Sequence, residues 1–329
     1  MTTPVLLTAE QLAQTAAWVA AQQEDSGAVP WYAGGHLDPW DHVQAAMGLL
    51  AAGRRDEAER AYRWSAAAQR PDGTWAAKYV AGEPVEHYVD ANFTAYLATG
   101  VWHHWLVTQD QHVVRELWPV VDAAVEAVLP LQRADGAFVW TPGEPDALVT
   151  GNASIAFSLR CALGLARVVG AGRPGWSAAS AAVAEALTRP ELFEPKPHSM
   201  DWYYPLLGSA WTRDEVDRRI KDGWDTFVVP GLGIKCVTPN TWVTGAESCE
   251  LVLALDASGR RDEAAQVLAD MQHLREADGS YWTGFEYESR QRWPDERTTW
   301  TAATVLLAHD ALLGLTAGGG VFRGEGLDE

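Results

Sequence analysis

Asp41 and Glu247 stand at equivalent places in a duplicated segment. The hexapeptide GRRDEA occurs at 53–58 and again at 259–264, and extending it backwards sets DHVQAAMGLLAAGRRDEA over ESCELVLALDASGRRDEA without a gap. Each carboxylate precedes its shared glycine by twelve residues, and further on Asp72-Gly73 falls on Asp278-Gly279. Two carboxyl groups facing one another across a site can divide acid–base work. One, kept protonated, donates to a leaving oxygen, while the other, ionised, takes a proton from water. The register leaves open which is which. A third segment, VTGNAS at 149–154, matches VTGAES at 243–248 but carries Ala153 where the latter carries Glu247, so a carboxylate is not needed to start such a helix. The plain structural role for the pair is capping, since Asp38-x-x-Asp41 and Thr244-x-x-Glu247 both fit the capping-box pattern.

Other candidates stand at similar places. Asp90 and Asn92 in YVDANF, Asn152 in VTGNAS, Asp201 with Tyr203 and Tyr204 in DWYYP, and Glu296 in WPDERTTW could each face a substrate, or simply cap a helix. His36 and Asp38 precede Asp41, and His42 follows it; an imidazole titrates near neutrality, so either histidine could act as acid or base. Trp31, Trp40, Trp242, Trp282, Trp293 and Trp300 stand in loops or at helix starts. An indole there can stack on a sugar ring or fill a core. With 17 Trp in 329 residues, a surface for sugars or isoprenoids is expected.

The elements that must position these residues are helices. Thr8 caps a helix over 9–22; Asp38 and Pro39 open another that stops at Gly53; a third runs from about Arg55 to Ala68 before the turn QRPDGTW. Related turns return as QRADGAFVW, READGSYWTGF and, more loosely, QEDSGAVPW. Helices starting near Asp38, Asp90, Gly151, Thr244 and Thr298 are apolar almost all round, and their partners are amphipathic, so inner and outer helices alternate. Strand signals are sparse. Six hairpins of about 55 residues fill the chain, one of them poorly defined between Trp176 and Trp211, and the expected fold is all-α: an (α/α)6 barrel over residues 1–316 with a disordered tail at 317–329. In such a ring the first and fifth inner helices flank the sixth. With ~9 Å between neighbouring axes, theirs lie ~16 Å apart, a layout that leaves room for water between two inward carboxylates.

Composition removes several functions. Net charge is −19, from 25 Lys and Arg against 44 Asp and Glu, which disfavours nucleic acid or an anionic membrane as partner. No leader is expected at the start, no apolar run approaches the ~20 residues of a membrane span, and a cytoplasmic location is expected. Cys161, Cys236 and Cys249 show no metal or disulfide spacing, and without a phosphate loop, ligand cluster or nucleotide fingerprint no cofactor is expected.

Three resemblances bear on function. QRPDGTW is a literal Q-x-x-x-G-x-W and resembles the repeat of squalene and hopene cyclases, but the D-x-D-D acid motif and the D-x-C zinc pattern of prenyltransferases are missing. The turn is therefore read as architecture, glycine for the bend and tryptophan as a wedge. The stretch from Tyr88 to Val121 resembles glucoamylase-type and trehalase-type toroids, and WPDERTTWTAA resembles their base-bearing loop. That likeness makes Glu296 a rival of Glu247 for the base and puts the acid-bearing loop near Glu144 and Asp146. GGHLDPWDHVQAAMGL, VTGAESCELVLALDASG and DGSYWTG resemble actinobacterial toroids often labelled prenyltransferase-like, a group that includes hydrolases of methylmannose polysaccharide. The last resemblance implies an endo-acting α-mannosidase with an oligosaccharide or polysaccharide as partner; the ring layout favours inversion, and the duplicated register offers Asp41 and Glu247 as acid and base. The alternatives are terpene or prenyl chemistry, a sugar epimerase working through histidine pairs, and a glycan-binding protein without turnover.

Overall fold

Local signals start each hairpin as the sequence indicates. In the computed structural model, which describes residues 6–208 and 211–327, Thr8 caps α1 (Ala9–Gln22) through a complete capping box with Gln11. Asp38 caps α2 (Pro39–Ala51), with Pro39 in the first turn, where its missing N–H leaves no bond unmade. Gly53, at φ +78°, reverses the chain into α3 (Arg55–Ala68). The second hairpin consists of α4 (Ala91–Ala95) and α5 (Leu97–Thr108), paired with α6 (Gln111–Val128). Then come α7 (Val149–Val169) with α8 (Pro174–Ala186) and the short α9 (Ser199–Tyr203) with α10 (Arg213–Phe227). The last are α11 (Gly245–Ala257) with α12 (Arg261–Asp270) and α13 (Thr299–Leu313), against which α1 packs from outside.

The ring closes as an (α/α)6 toroid. Neighbouring inner elements touch in the order α2, α5, α7, α9, α11, α13 and back to α2. Being surrounded explains their composition: α2, α11 and α13 are buried on nearly every side, whereas α3, α6 and α10 bury one stripe. α13 lies between α2 and α11, as the count of hairpins requires.

The repeated turns hold each hairpin to the next. In QRPDGTW, Gln69 donates both to the Gly73 carbonyl (3.0 Å) and to the Val120 carbonyl of α6 (2.9 Å). Gly73 sits at φ +85°, and a Cβ there would come within 2.4 Å of the Ala123 carbonyl, so both its conformation and its space demand glycine. Gln23 and Gln132 repeat the double bond onto α3 and α8. At READGSYWTGF, Arg275 reaches Gln14 of α1 instead and completes the circle. Trp75 is buried, with its indole N–H donating to the Ser65 carbonyl at 2.8 Å. Its burial contributes roughly 2–3 kcal/mol.

Strands are short and lie at one end. β1 (His36–Leu37), β2 (Lys78–Val80) and β3 (Glu83–Glu86) form one antiparallel sheet. A second contains β4 (Val228–Val229), β5 (Gly233–Lys235), β6 (Trp242–Thr244), β7 (Gly284–Glu286) and β8 (Gln291–Arg292). Both extend the loops that lead into inner-helix N-termini. Among the described residues, α7 alone is long and apolar enough to cross a membrane, and 67% of its apolar window is buried in the protein.

The expected disordered tail is a correction. Residues 317–327 are packed: Val321, Phe322 and Leu327 are buried, and the Phe322 ring lies 5.5 Å from that of Phe157. Glycine-rich composition suggested disorder, but the apolar residues between the glycines find a groove beside α7. Residues 328–329 lie outside the described residues.

Candidate active site

Inner helices all start at the end of the toroid where the two sheets lie, and their first turns supply the polar groups. Asp38 Oδ1 accepts the Asp41 amide at 2.9 Å, and Asp38 Oδ2 accepts the Trp31 indole N–H at 3.1 Å. The Asp41 carboxyl meets the Asp38 carboxyl and the Trp31 indole, so the two acids form a contacting pair, each 8% exposed. Burial, then the Asp38 charge, then that of Glu250 hold Asp41 well above the usual carboxylate range. A carboxyl in that setting holds its proton to higher pH than a free one.

Capping does not account for the other copy. Thr244 is the N-cap of α11 but makes no side-chain cap bond, and Glu247, 5% exposed, contacts the Cys236 thiol instead. Burial and the charges of Glu247 and Glu250 push that thiol up. Glu250, one turn further along α11, is completely buried and is pushed up to about 8 by burial. It influences Asp41, and Glu247 influences it in turn, so acids from α2 and α11 converge around one region of the axis.

Beside this cluster opens a cleft of about 250 Å³ that holds Trp40, Asp90, Asn92, Asn152 and Asp201 together, with Phe93, Phe138, Trp140 and Met200 giving it an apolar lining. Asp90 caps α4 through the amides of Asn92 (2.8 Å) and Phe93 (3.0 Å), and burial raises it to about 6. Asn152 is committed to the Phe138 amide and carbonyl and to the Leu148 carbonyl, and Asp201 accepts from the Thr150 amide and hydroxyl. Asn92 differs, because its buried Oδ1 has no hydrogen-bond partner. The Trp40 indole N–H and the hydroxyls of Tyr96 and Tyr204 instead face one another, with the Trp40 ring 5.6 Å and 5.4 Å from the two phenol rings. A buried acceptor left open beside a cleft, as Asn92 Oδ1 is, is suited to a ligand hydroxyl. Tyr203 is engaged, donating to Glu250 Oε2 at 2.6 Å.

The remaining candidates are spread around the rim. His36 pairs in β1 and lies 4.5 Å from the Trp31 ring, with burial lowering its pKa. His42 is structural: Nδ1 accepts the Val29 amide (3.1 Å), Nε2 donates to the Ala61 carbonyl (2.9 Å), and burial depresses it to about 4. Trp300 donates to Gln44 Oε1. Trp242 lies edge-on to the exposed Trp293 at 4.9 Å in a separate groove beside β6 to β8. Glu296 and Trp282 line a third groove with Trp18, Gln22 and Tyr32. Glu296 thus lines a different space from Asp90 and Asn92, while Asp41, Glu247, Glu144 and Asp146 line none of the three. Sequence reasoning missed Gln44, Glu250, Tyr96 and Trp140. Gln44 and Glu250 carried a signal, since they occupy one position in the duplicated segment. Among the described residues no group of acids, histidines and cysteines is arranged to hold a metal ion.

A toroid of six hairpins with buried carboxyls at the inner-helix starts is the architecture of a large class of glycoside hydrolases. Solved structures agree on the fold. A glycosidase captured with glucose matches with a TM-score of 0.72 over 93% of this chain and 97% of its own, at 18% identity. A GH63 mannosylglycerate hydrolase from Thermus thermophilus, captured with Tris and D-glycerate, matches with a TM-score of 0.69 over 90% of this chain and 99% of its own, at 12% identity. No protein-family profile matches the chain. In sequence it is 49% identical over 327 residues to the MMP endo-(1,4)-3-O-methyl-alpha-D-mannosidase of Mycolicibacterium hassiacum (strain DSM 44199 / CIP 105218 / JCM 12690 / 3849), covering 98% of this chain and 91% of the relative. The chain belongs to the family of that mannosidase and is a glycoside hydrolase.

Proposed function

We propose that this hydrolase is an inverting endo-α-mannosidase acting on a 3-O-methylated α-(1→4)-mannan, methylmannose polysaccharide, with Asp41 as general acid and Glu247 as general base. The observation that carries the roles is the Asp38–Asp41 contact. A buried carboxyl pressed against a second acid holds its proton to higher pH than a free one, the direction a general acid needs. Asp41 would donate its proton to the glycosidic oxygen as the bond to the anomeric carbon breaks. Glu247 would take a proton from water attacking the opposite face of that carbon, which yields the inverted hemiacetal. The order of helices supports this reading, since α13 stands between the two that bear the groups and would leave space for that water.

The substrate follows the family, and the cleft supports it. Trp40, Phe93 and Met200 offer an apolar wall to a methyl ether, and Asn92 Oδ1 offers an acceptor to a free hydroxyl. Trp242 with Trp293 and Trp282 with Glu296 would serve more distant sugar units, as endo action requires. We place the reaction in the cytoplasm, in keeping with three free thiols. Histidine-based epimerisation finds less support, because it calls for a pair: His42, His103, His104 and His309 are fully buried, and a single histidine, His198, is among the residues lining the cleft. The test is hydrolysis of methylated and plain α-(1→4)-mannooligosaccharides by wild type, D41N and E247Q, with anomeric products followed by NMR. Each variant is expected to lose at least about 10³-fold in kcat. Activity within about tenfold of wild type in either would refute the assignment.

A further inference from the structure

A second buried pair from the duplicated segment lies beneath Asp41 and Glu247. Gln44 stands three residues after Asp41 and Glu250 three after Glu247, so each occupies the next turn on the same side of its helix. Gln44 Nε2 donates to Glu250 Oε1 at 2.9 Å, the Tyr203 hydroxyl donates to Glu250 Oε2 at 2.6 Å, and the Trp300 indole N–H donates to Gln44 Oε1. Both residues are buried, Gln44 with 1% and Glu250 with 0% exposure. Because α13 separates α2 from α11 in the ring, the Gln44–Glu250 bond is a direct side-chain tie between the two helices that carry the carboxyls. Trp300 adds α13 to this tie and Tyr203 adds α9.

Stability alone is a poor reason for such a network. A buried carboxyl costs free energy even when its oxygens are bonded, and an apolar pair could fill the same space more favourably. Packing here is already close: a Cβ on Gly48 of α2 would come within 2.6 Å of the Ala303 carbonyl of α13. What hydrogen bonds add to contact is direction and length.

We propose that Glu250 is a positioning residue whose bridge to Gln44 sets the spacing of Asp41 and Glu247 across the axis. This rests on the acid–base assignment above. An inverting site needs ~6.5–9.5 Å between its carboxyl groups to hold the water, and a displacement of ~1 Å can cost about 10²-fold in rate. The loss should fall on kcat, because the cleft that binds sugar has other walls.

The experiment measures kcat and KM of E250A, Q44L and the exchange Q44E/E250Q on a methylated α-(1→4)-mannooligosaccharide, beside D41N and E247Q, with circular dichroism to confirm folding. The exchange puts the carboxylate on α2, where it still accepts from Trp300, and the amide on α11, where it donates across the same gap. E250A and Q44L are expected to lose about 10²-fold in kcat with KM within about threefold, and the exchange to recover at least about tenfold of that. Q44L breaks the bridge from the other side and carries the test if E250A does not fold. If E250A and Q44L keep kcat within about twofold while D41N and E247Q are inactive, positioning is overturned and the acid–base assignment stands. An exchange that recovers nothing also overturns it, since a bridge of restored geometry would then have no effect. Active D41N or E247Q overturns the assignment and the positioning role with it.

Discussion

Replacing Glu250 by Gln should change how stability depends on pH. Burial raises this carboxyl from 4.5 to about 8 in the folded protein. Below 4.5 it is protonated in both states and contributes nothing to the pH dependence. Between 4.5 and about 8 the unfolded chain releases the proton and the native state keeps it, so stability falls as pH rises through that window and levels off above it. At 1.36 kcal/mol per unit, the full loss is roughly 5 kcal/mol, a sizeable part of an ordinary folding free energy. Glutamine has the same shape and no proton to release. Its carbonyl can accept from one neighbour, and its amide can donate to the Tyr203 hydroxyl once that group turns round, so the contacts with Gln44 and Tyr203 survive. Urea denaturation of wild type and E250Q at pH 5 and pH 8.5 tests this. The stability of E250Q relative to wild type should increase by several kcal/mol between the two conditions. Parallel pH curves would refute the reasoning, as would a relative increase toward acid, because either result would mean that native Glu250 is ionised at neutral pH.

Three shorter predictions concern the site and its frame. In D38N the Asp38 charge that helps to keep Asp41 protonated is gone, so Asp41 ionises at lower pH and the alkaline limb of kcat/KM moves toward acid; asparagine still caps α2, and an unmoved limb would detach Asp38 from the acid. N92A removes the open acceptor in the cleft and should weaken oligosaccharide binding about tenfold in calorimetry with the inactive E247Q background, with melting little changed. F322A should destabilise the fold by about 3–5 kcal/mol in denaturant titration, since Phe322 is buried against Phe157; a loss below ~1 kcal/mol would mean that the C-terminal segment does not contribute to the core.

Helices and their caps were legible because their causes are local. Thr8, Asp38 and Pro39 act on the next three residues, and the Gly53 reversal needs only its own φ. Ring order was legible through counting: six hairpins put the sixth inner helix between the first and the fifth. The C-terminal segment was not legible, since its order comes from α7, more than 150 residues earlier in the chain. Nor was the separation of Glu296 from the cleft, because its proximity in sequence to the start of α13 says nothing about which side of the rim its loop takes. Composition misled at the tail, where glycine spacing hid Phe322 and Leu327.

The duplicated segment located the carboxyls because a shared fold forces a shared register, and the same reasoning extends one turn further than the pair it first selects. Equivalent residues of two copies on opposite flanks of one helix both point toward the axis, so they are the residues that meet if the barrel is narrow enough. Asp41 and Glu247, at the mouth, are the pair we propose to work across a water. Gln44 and Glu250, one turn deeper, touch at 2.9 Å. On that proposal one repeated register supplies two kinds of pair, an open one able to do chemistry and a closed one able to gauge it. Had both deeper positions been carboxylates, they would have repelled; had both been apolar, the tie would have lacked direction. An amide facing an acid is the combination that bonds in either protonation state, and it is the one that this sequence carries.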